Sequence, residues 1–394
     1  IFRQSFQDLQ GCDAVINPTE DGGYYLIGLK SARNDIWDVP HYGTNTVFED
    51  TLSKLFEAEL RVSTGQMLRD IDTKEDLMAW YGADRCIHCG ACTKSCNFLE
   101  KYGINLAGFA RRPELAYSCF LCGRCKAVCP KDIDGARIAV LMRQMRSDRA
   151  SYKGLLWEKS PYKFANYRKG RKKSVLFPGC NFTAFYPKTT GYLEHLMSRY
   201  DIGTIYDCCG KPVYELGLKG ASNQNLDRIN SRLKKQGVEE FIVLCPNCYH
   251  FLKDRLEIPM VTIYQKLKEL GEGQMVKKDR IPIYYPCPDR EKKEMFQEVF
   301  QYLAGEVTEP FGKVQCCGLG GCAGVKEPEL SKGMAESAMK YNDELYTYCA
   351  SCISNFRRKG MEGAYHILPL ILGVEEKVPL GIQPFMNRAR RKLL

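Results

Sequence analysis

Twenty of the 394 residues are cysteine, about one in twenty, and their spacing carries most of the chemistry this sequence can do. The strings "CIHCGACTKSC" (Cys86, Cys89, Cys92, Cys96) and "CFLCGRCKAVCP" (Cys119, Cys122, Cys125, Cys129) repeat the pattern C-x2-C-x2-C-x3-C. Two residues between thiolates let a tight loop wrap three corners of a cubane [4Fe-4S] cluster, and the fourth cysteine of each run reaches the other cluster. The spacing therefore assigns Cys86, Cys89, Cys92 and Cys129 to one cubane, and Cys96, Cys119, Cys122 and Cys125 to a second. Structural zinc is the alternative, but its four ligands usually come as two spaced pairs, not as a trio plus one repeated twice.

A second pattern, C-x27-CC-x35-CPNC, is followed by C-x28-CC-x31-CASC. It gathers Cys180, Cys208, Cys209, Cys245 and Cys248 into one set, and Cys287, Cys316, Cys317, Cys349 and Cys352 into another. Adjacent cysteines point in divergent directions and can share a site only if the chain bends, which Gly210 and Gly318 directly after each pair permit. Five thiols exceed what one cubane needs. A novel cluster, zinc, an ordinary cubane, or thiols packed as small hydrophobes all remain open at this point. Outside these sets stand Cys12, read as structural, and Cys322 in "CCGLGGCAG", read as a core thiol or a spare ligand. The glycines of that string lack the GK[ST] of a phosphate loop and are expected to bring backbone N–H groups to cluster sulfurs. His88 lies between two ligands as a solvent-side neighbour, and His41, His195, His250 and His366 form no usable spacing.

The elements that must carry these residues form an internal repeat. The first copy reads strand "SVLF", Cys180, helix Lys188 to Tyr200, the Cys pair, helix Asn223 to Lys235, strand "FIVL" and "CPNC". The second reads strand "IPIYY", Cys287, helix Glu291 to Leu303, the Cys pair, helix Glu329 to Tyr341, strand "LYTY" and "CASC". Corresponding cysteines are offset by 104 to 108 residues, slips of loop length between copies of one unit. Cysteines that follow short strands sit at carboxyl ends, where open α/β sheets keep their ligands. Between Arg143 and Lys173, 11 basic residues face 2 acidic ones, and the stretch reads as a helix end plus a basic linker.

The 22-residue spacer between Cys96 and Cys119, with helix-like "NLAGFARRPELAY", resembles the helical ferredoxin modules found in the ferredoxin-type component of heterodisulfide reductase and in the iron–sulfur components of glycerol-3-phosphate and succinate dehydrogenases. Asn97 stands where a proline is common, which leaves ligation intact. The repeated five-cysteine sets resemble the cysteine-rich "CCG" domains of the disulfide-reducing component of heterodisulfide reductase and of related lactate-oxidation and anaerobic glycerol-3-phosphate dehydrogenase proteins, over roughly residues 174 to 370. The resemblance implies one or two further [4Fe-4S] clusters, of a noncubane type where a set is complete, held by the ten CCG cysteines. It also implies reduction of a disulfide or similar two-electron substrate, with Cys208, Cys209, Cys316 and Cys317 as candidate catalytic residues. The competing expectation is a non-catalytic electron-transfer subunit of a dehydrogenase complex.

Residues 1 to 80 contain one cysteine and read as alternating α/β, with a strand at Tyr24 to Leu29 and a helix from Thr46 to Glu59. The strings "NPTEDGGYYLIGL" and "LRDIDTKEDL" resemble the second half of a nucleotide-sugar transferase of the A-type glycosyltransferase fold. That resemblance makes Asp21 and Asp72 candidate holders of a divalent cation. The nucleotide-binding first half is absent, so a transferase fusion remnant without activity is the expectation.

The expected architecture is thus multidomain α/β. A partial transferase-like segment spans 1–80, a mainly helical ferredoxin module 81–150, a basic linker 151–173, and duplicated CCG domains 174–278 and 279–394. Net charge is +10, but residues 1 to 80 carry −7 and the remainder +17. A nucleic-acid partner is not favoured, because ligated clusters are usually anionic and absorb much of that surplus; the linker alternatively offers a docking face for an acidic redox protein. Expected partners are a flavin- or hydrogenase-type donor or a dehydrogenase component, and a small disulfide. No apolar run approaches the ~18 to 20 residues of a membrane span, the stretch from Ile367 to Val374 being among the longest. The start at Ile1, with no initiator Met, leader or cleavage site, reads as a cut inside a longer protein. Many thiolate-held clusters make a reducing, low-oxygen cytoplasm the expected compartment.

Overall fold

The computed structural model describes residues 2–39, 42–146, 150–312 and 316–393. His41 and residues 147–149 of the basic stretch lie outside the described residues. The chain divides into two compact units, Ile1–Trp80 and Tyr81–Leu394.

In the first unit, strand β1 (Ala14–Pro18) is buried along its whole length between β2 (Tyr24–Leu29), antiparallel to it, and β3 (Val62–Thr64), parallel to it. Ala14 and Ile16 pack with Ile36 and with Leu55 of the helix Val47–Glu57.

The second unit opens with the ferredoxin-like part, built of short helical pieces. Its two cysteine runs adopt one local geometry. His88 and Leu121 both have positive φ, 55° and 54°, and Gly90 and Gly123, at 74° and 75°, lead into the helices Ala91–Ser95 and Arg124–Ala127. Each run thereby curls around its own first three cysteines. The helix Gly135–Met145 closes the module, its first turn capped by the Asp134 carboxylate accepting from the Ala136 and Arg137 amides.

The first repeat forms a five-stranded sheet. Its order is β4 (Asn166–Lys169), β6 (Gly203–Tyr206), β5 (Ser174–Phe177), β7 (Glu240–Val243), β8 (Met260–Thr262), parallel except for the β4 edge. In the second repeat β9 (Val276–Pro282) pairs in parallel with β10 (Leu303–Thr308), and β11 (Leu345–Thr347) with β12 (Ala364–His366). A parallel bridge between Ile283 and Tyr346 joins the two pairs, so the order β10-β9-β11-β12 reproduces β6-β5-β7-β8. One apolar core runs through both repeats, from Leu176 and Leu193 to Ile281 and Ile353, and reaches Phe120 of the ferredoxin part.

Three local expectations change. The strand at "IPIYY" starts earlier, at Val276, because pairing with β10 extends it through the exposed run Lys277–Arg280, which no apolar alternation marks. The helix expected from Glu291 to Leu303 shrinks to Glu294–Phe300, and Leu303 instead opens β10. Residues 150–169 are not a solvated linker. They form a short turn, the helix Lys153–Lys159 and the edge strand β4, and they bury Glu158 and Lys159, which pair with each other while Glu158 also takes Arg388.

Candidate metal centres

Cys86, Cys89, Cys92 and Cys129 line one small cavity together with Leu106 and Pro130. Cys96, Cys119, Cys122 and Cys125 line a second, with Phe98 and Phe109. Both donor sets are all-thiol, with apolar neighbours, and each fourth cysteine comes from the opposite run. The first, outer, site reaches the surface: Cys89 is exposed and Ile87 is 56% exposed. His88 at its rim is exposed and meets the Asn105 side chain at 3.0 Å. The inner site lies deeper, with Cys96, Cys119 and Cys125 buried and Cys122 half-buried. Burial pushes Cys125 and Cys122 well up and Cys119 up to about 12, with the neighbouring Arg143 guanidinium pulling Cys119 the other way.

The five thiols of each CCG set form one continuous run. Cys180 Sγ lies 4.0 Å from Cys208 Sγ, and contacts continue through Cys209 and Cys248 to Cys245. In the second repeat Cys287 Sγ lies 4.0 Å from Cys316 Sγ, and contacts continue through Cys317 and Cys352 to Cys349. The bend that lets neighbours share a site is at Gly210 (φ 88°) and Gly318 (φ 84°), a backbone region costly for any residue with a Cβ. The middle thiol of each run is held low, Cys209 at about 5 by hydrogen bonds from Cys208 and Cys248, Cys317 at about 6 by those from Cys316 and Cys352. The Gly318 amide donates to Cys316 Sγ at 3.4 Å.

Both sets line a single cavity of about 1200 Å³, and Cys122 of the inner site lines it too. The two repeats touch there: Asn247 Nδ2 donates to Cys349 Sγ at 3.5 Å, and Asn181 Nδ2 to Ser351 Oγ at 2.7 Å. Cations stand against the thiols. Lys159 is buried beside Cys180 and Cys208, Lys211 lies between Cys209 and Cys287, and Arg290 Nη2 donates to Cys287 Sγ at 3.3 Å. Such placement favours anionic sulfur. Among the described residues no three His, Cys, Asp or Glu side chains converge on a point for one ion. Zinc–sulfur bonds of ~2.3 Å would draw four thiolates about 3.8 Å apart around one point. Each CCG set offers five thiols where a single zinc takes four, whereas a cluster presents separate irons to separate thiolates.

Cys12 is buried, its thiol donating to the Asp8 and Ala14 carbonyls. Cys322, expected as a core thiol, is only half-buried and lines the large cavity, because a left-handed backbone (φ 56°) turns it there. Asp21 and Asp72 are both exposed, and an Asp21 oxygen is taken up by the Gly23 amide of its own turn. Sequence reasoning missed Lys159, Arg143 and Arg290, the first two because they lie in or beside the stretch read as a linker. It also missed Asp289, whose buried carboxylate accepts from His250, from Tyr348 at 2.5 Å and from two backbone amides. No helix among the described residues is long and apolar enough to cross a membrane.

Comparison with known proteins agrees with this layout. The model of a 4Fe-4S dicluster domain matches residues 82–133, and that of the cysteine-rich CCG domain matches twice, at 174–253 and 282–357. A model for an uncharacterized protein conserved in bacteria (DUF2064) matches residues 1–44. One component of the ferredoxin:CoB-CoM heterodisulfide reductase of Methanosarcina acetivorans is 33% identical over 24% of this chain and 39% of its own length. One component of the fumarate reductase (CoM/CoB) of Methanothermobacter marburgensis is 23% identical over 68% of this chain and 66% of its own. The chain spans about two thirds of the length of the curated relatives that it matches most fully. A putative nucleotide-diphospho-sugar transferase from Desulfovibrio desulfuricans G20 is 34% identical over 23% of this chain and 39% of its own, with a TM-score of 0.20. The chain is thus an iron–sulfur electron-transfer protein that carries a 4Fe-4S dicluster domain and two cysteine-rich CCG domains, preceded by a DUF2064-type segment.

Proposed function

We propose that this chain is an oxidoreductase of the heterodisulfide reductase type, which takes electrons from a partner protein and reduces a disulfide in the cavity between the two CCG domains. The observation that carries this reading is the shared cavity: ten CCG cysteines belong to it or lie directly behind it, and Cys122 opens onto it from the ferredoxin side. In this reading residues 81–150 receive electrons, and 174–278 and 279–394 form the two halves of the reducing site.

Cys86, Cys89, Cys92 and Cys129 would hold an outer cubane, and Cys96, Cys119, Cys122 and Cys125 an inner one. The five-thiol sets would each hold a further [4Fe-4S] cluster. Bound there, the clusters supply one-electron carriers, and a disulfide requires two electrons and two protons to become two thiols. The chain's own residues set the layout. The outer thiols sit at the surface, where a donor protein reaches them, and the inner site adjoins the second CCG set, since Cys122 raises the Cys316 thiol and is itself raised by Cys287. Lys159, Lys211 and Arg290 hold positive charge against the sulfur of both sets, and Phe120, Phe185 and Phe251 add apolar surface to the cavity wall.

The test is anaerobic purification, with iron and acid-labile sulfide per chain measured beside low-temperature EPR. About 16 iron, four clusters of four, together with a spectral change on adding a small disulfide, is the expected result. About 8 iron and no response would overturn the catalytic reading. A second reading, an electron-transfer component whose catalysis lies on a partner, is favoured by the relative named as part of a fumarate reductase. It expects about 16 iron but a spectrum that no disulfide perturbs, even with the clusters reduced.

A further inference from the structure

We propose that Arg143 is the positioning residue that locks the inner cluster site onto the CCG pair, and that its positive charge sets the reduction potential of that site. Arg143 lies near the end of the helix Gly135–Met145 and is 1% exposed. Its guanidinium donates from Nε to the Ala116 carbonyl (3.0 Å) and from Nη2 to that of Cys119 (2.8 Å), both in the ferredoxin part. Nη1 donates to the Glu215 carbonyl (2.6 Å) in the first repeat and to the Gly321 carbonyl (2.9 Å) in the second. One side chain therefore ties three modules. Its lower face is covered by the Tyr117 ring at 4.9 Å, and the Tyr117 hydroxyl in turn donates to the Leu216 carbonyl.

All four acceptors are carbonyls, and among the described residues no carboxylate pairs with Arg143. A buried cation without a counter-ion is expensive unless an anion stands nearby. The thiolates around Cys119 supply one, since the Cys119 carbonyl is itself an acceptor of the Arg143 guanidinium. Backbone packing at the junction is equally close. A Cβ on Gly320 would stand 2.2 Å from the Phe120 carbonyl oxygen, and one on Gly321 2.8 Å from that of Cys119. These two glycines of "CCGLGG" thus serve the junction, while Gly318 gives its amide to the Cys316 sulfur. Electron transfer falls steeply with distance, and a positive charge beside a cluster favours its reduced form. Arg143 controls both quantities where the path crosses from one module to the next.

This inference rests on the cluster assignment proposed above, but its readout survives if the disulfide substrate is wrong. The full chain, loaded anaerobically, is compared with Arg143→Met and Arg143→Lys by EPR-monitored redox titration and by the rate at which a reduced viologen reaches the CCG signal. Arg143→Met is expected to move the inner-site potential to more negative values while the outer site holds. Arg143→Lys is expected to keep that potential and slow the transfer. An unchanged inner potential in a fully loaded Met variant overturns the inference, as does an equal shift of both cubanes, which would mean general loosening. Where the Met variant loads no iron, the Lys variant decides: slowed transfer supports the junction role, and wild-type transfer overturns it.

Discussion

The two CCG repeats share a scaffold and differ in their surroundings. In both, a serine on the helix after the Cys pair fixes the bend, Ser222 Oγ donating to the Gly210 carbonyl and Ser331 Oγ to that of Gly318. Around this common device the copies diverge. In the first, Cys180 is buried on a helix, β4 extends the sheet as its antiparallel edge, and the C-terminal helix Gln383–Leu393 brings Arg388 onto Glu158 at 2.8 Å. The second leaves Cys287 half-buried in a Pro-Cys-Pro turn and sends residues 320–321 against the inner ferredoxin site. Duplication fixes the thiol geometry, while the junction with the ferredoxin part differs between copies: the second sets Gly320 and Gly321 against Phe120 and Cys119, and the first meets Arg143 and Tyr117 through the Glu215 and Leu216 carbonyls.

The sharpest way to break this asymmetry is to remove the middle thiol of each set. Cys317→Ser should cost about four iron per chain and abolish reduction of the remaining CCG signal through the cubanes. Cys209→Ser should cost the same iron yet leave the second set reducible. Equal loss of reduction in both variants, read by iron analysis and freeze-quench EPR, would remove the order these outcomes assign to the two copies. Next in size is the buried anchor of the first repeat. Asp207, fully buried, holds Arg228 at 2.6 Å and accepts from Tyr167 at 2.8 Å. Asp207→Asn breaks a buried pair and should destabilise the chain by about 3–5 kcal/mol, with the loss confined to the first repeat in hydrogen exchange. A uniform loss of protection would show the repeats to be one cooperative unit. Smaller is Gly320→Ala, where the new methyl must displace the Phe120 carbonyl, at a cost of about 1–3 kcal/mol. Gly333→Ala, in an open position on the matching helix of the same repeat, should gain about 0.5–1 kcal/mol in the same thermal melts.

The strands were legible where apolar runs are short and bounded, as at Tyr24–Leu29 and Ser174–Phe177, and the helices where caps or turns bracket a period. β9 was harder to read because its middle, Lys277–Arg280, is held by backbone pairing alone and carries no apolar signal. Cysteine spacing identified which thiols could share a site, since ligand spacing is a local property of the chain. It could not reveal Lys159, Arg143 or Asp289, because a buried charge looks like any surface charge until distant partners such as Cys208, Gly321 and Tyr348 are placed. The basic stretch misled for that reason: Lys159 and Arg143 contribute to its charge count while facing inward.

The finest test of the seam between the repeats is acid lability at His366. This residue ends β12 of the second repeat, caps the helix Ile367–Ile371 by accepting from the Leu368 amide at 3.2 Å, and packs on Phe182 (5.2 Å) and Tyr186 (5.0 Å) of the first repeat. Burial holds its pKa down at about 3, so it is neutral in the folded chain. An unfolded histidine titrates near ~6.5, and between that pH and about 3 the unfolded chain binds the extra proton. Stability from this group is therefore complete above ~6.5 and falls as pH drops, by at most about 1.4 kcal/mol per pH unit. His366→Asn keeps a capping oxygen but loses the aromatic packing. It should be the less stable form at pH 7, and its disadvantage should shrink steadily toward pH 4 in denaturant titrations. Curves that stay parallel over that range would mean that the ring is protonated inside the fold, and hence that the seam between the two copies admits water.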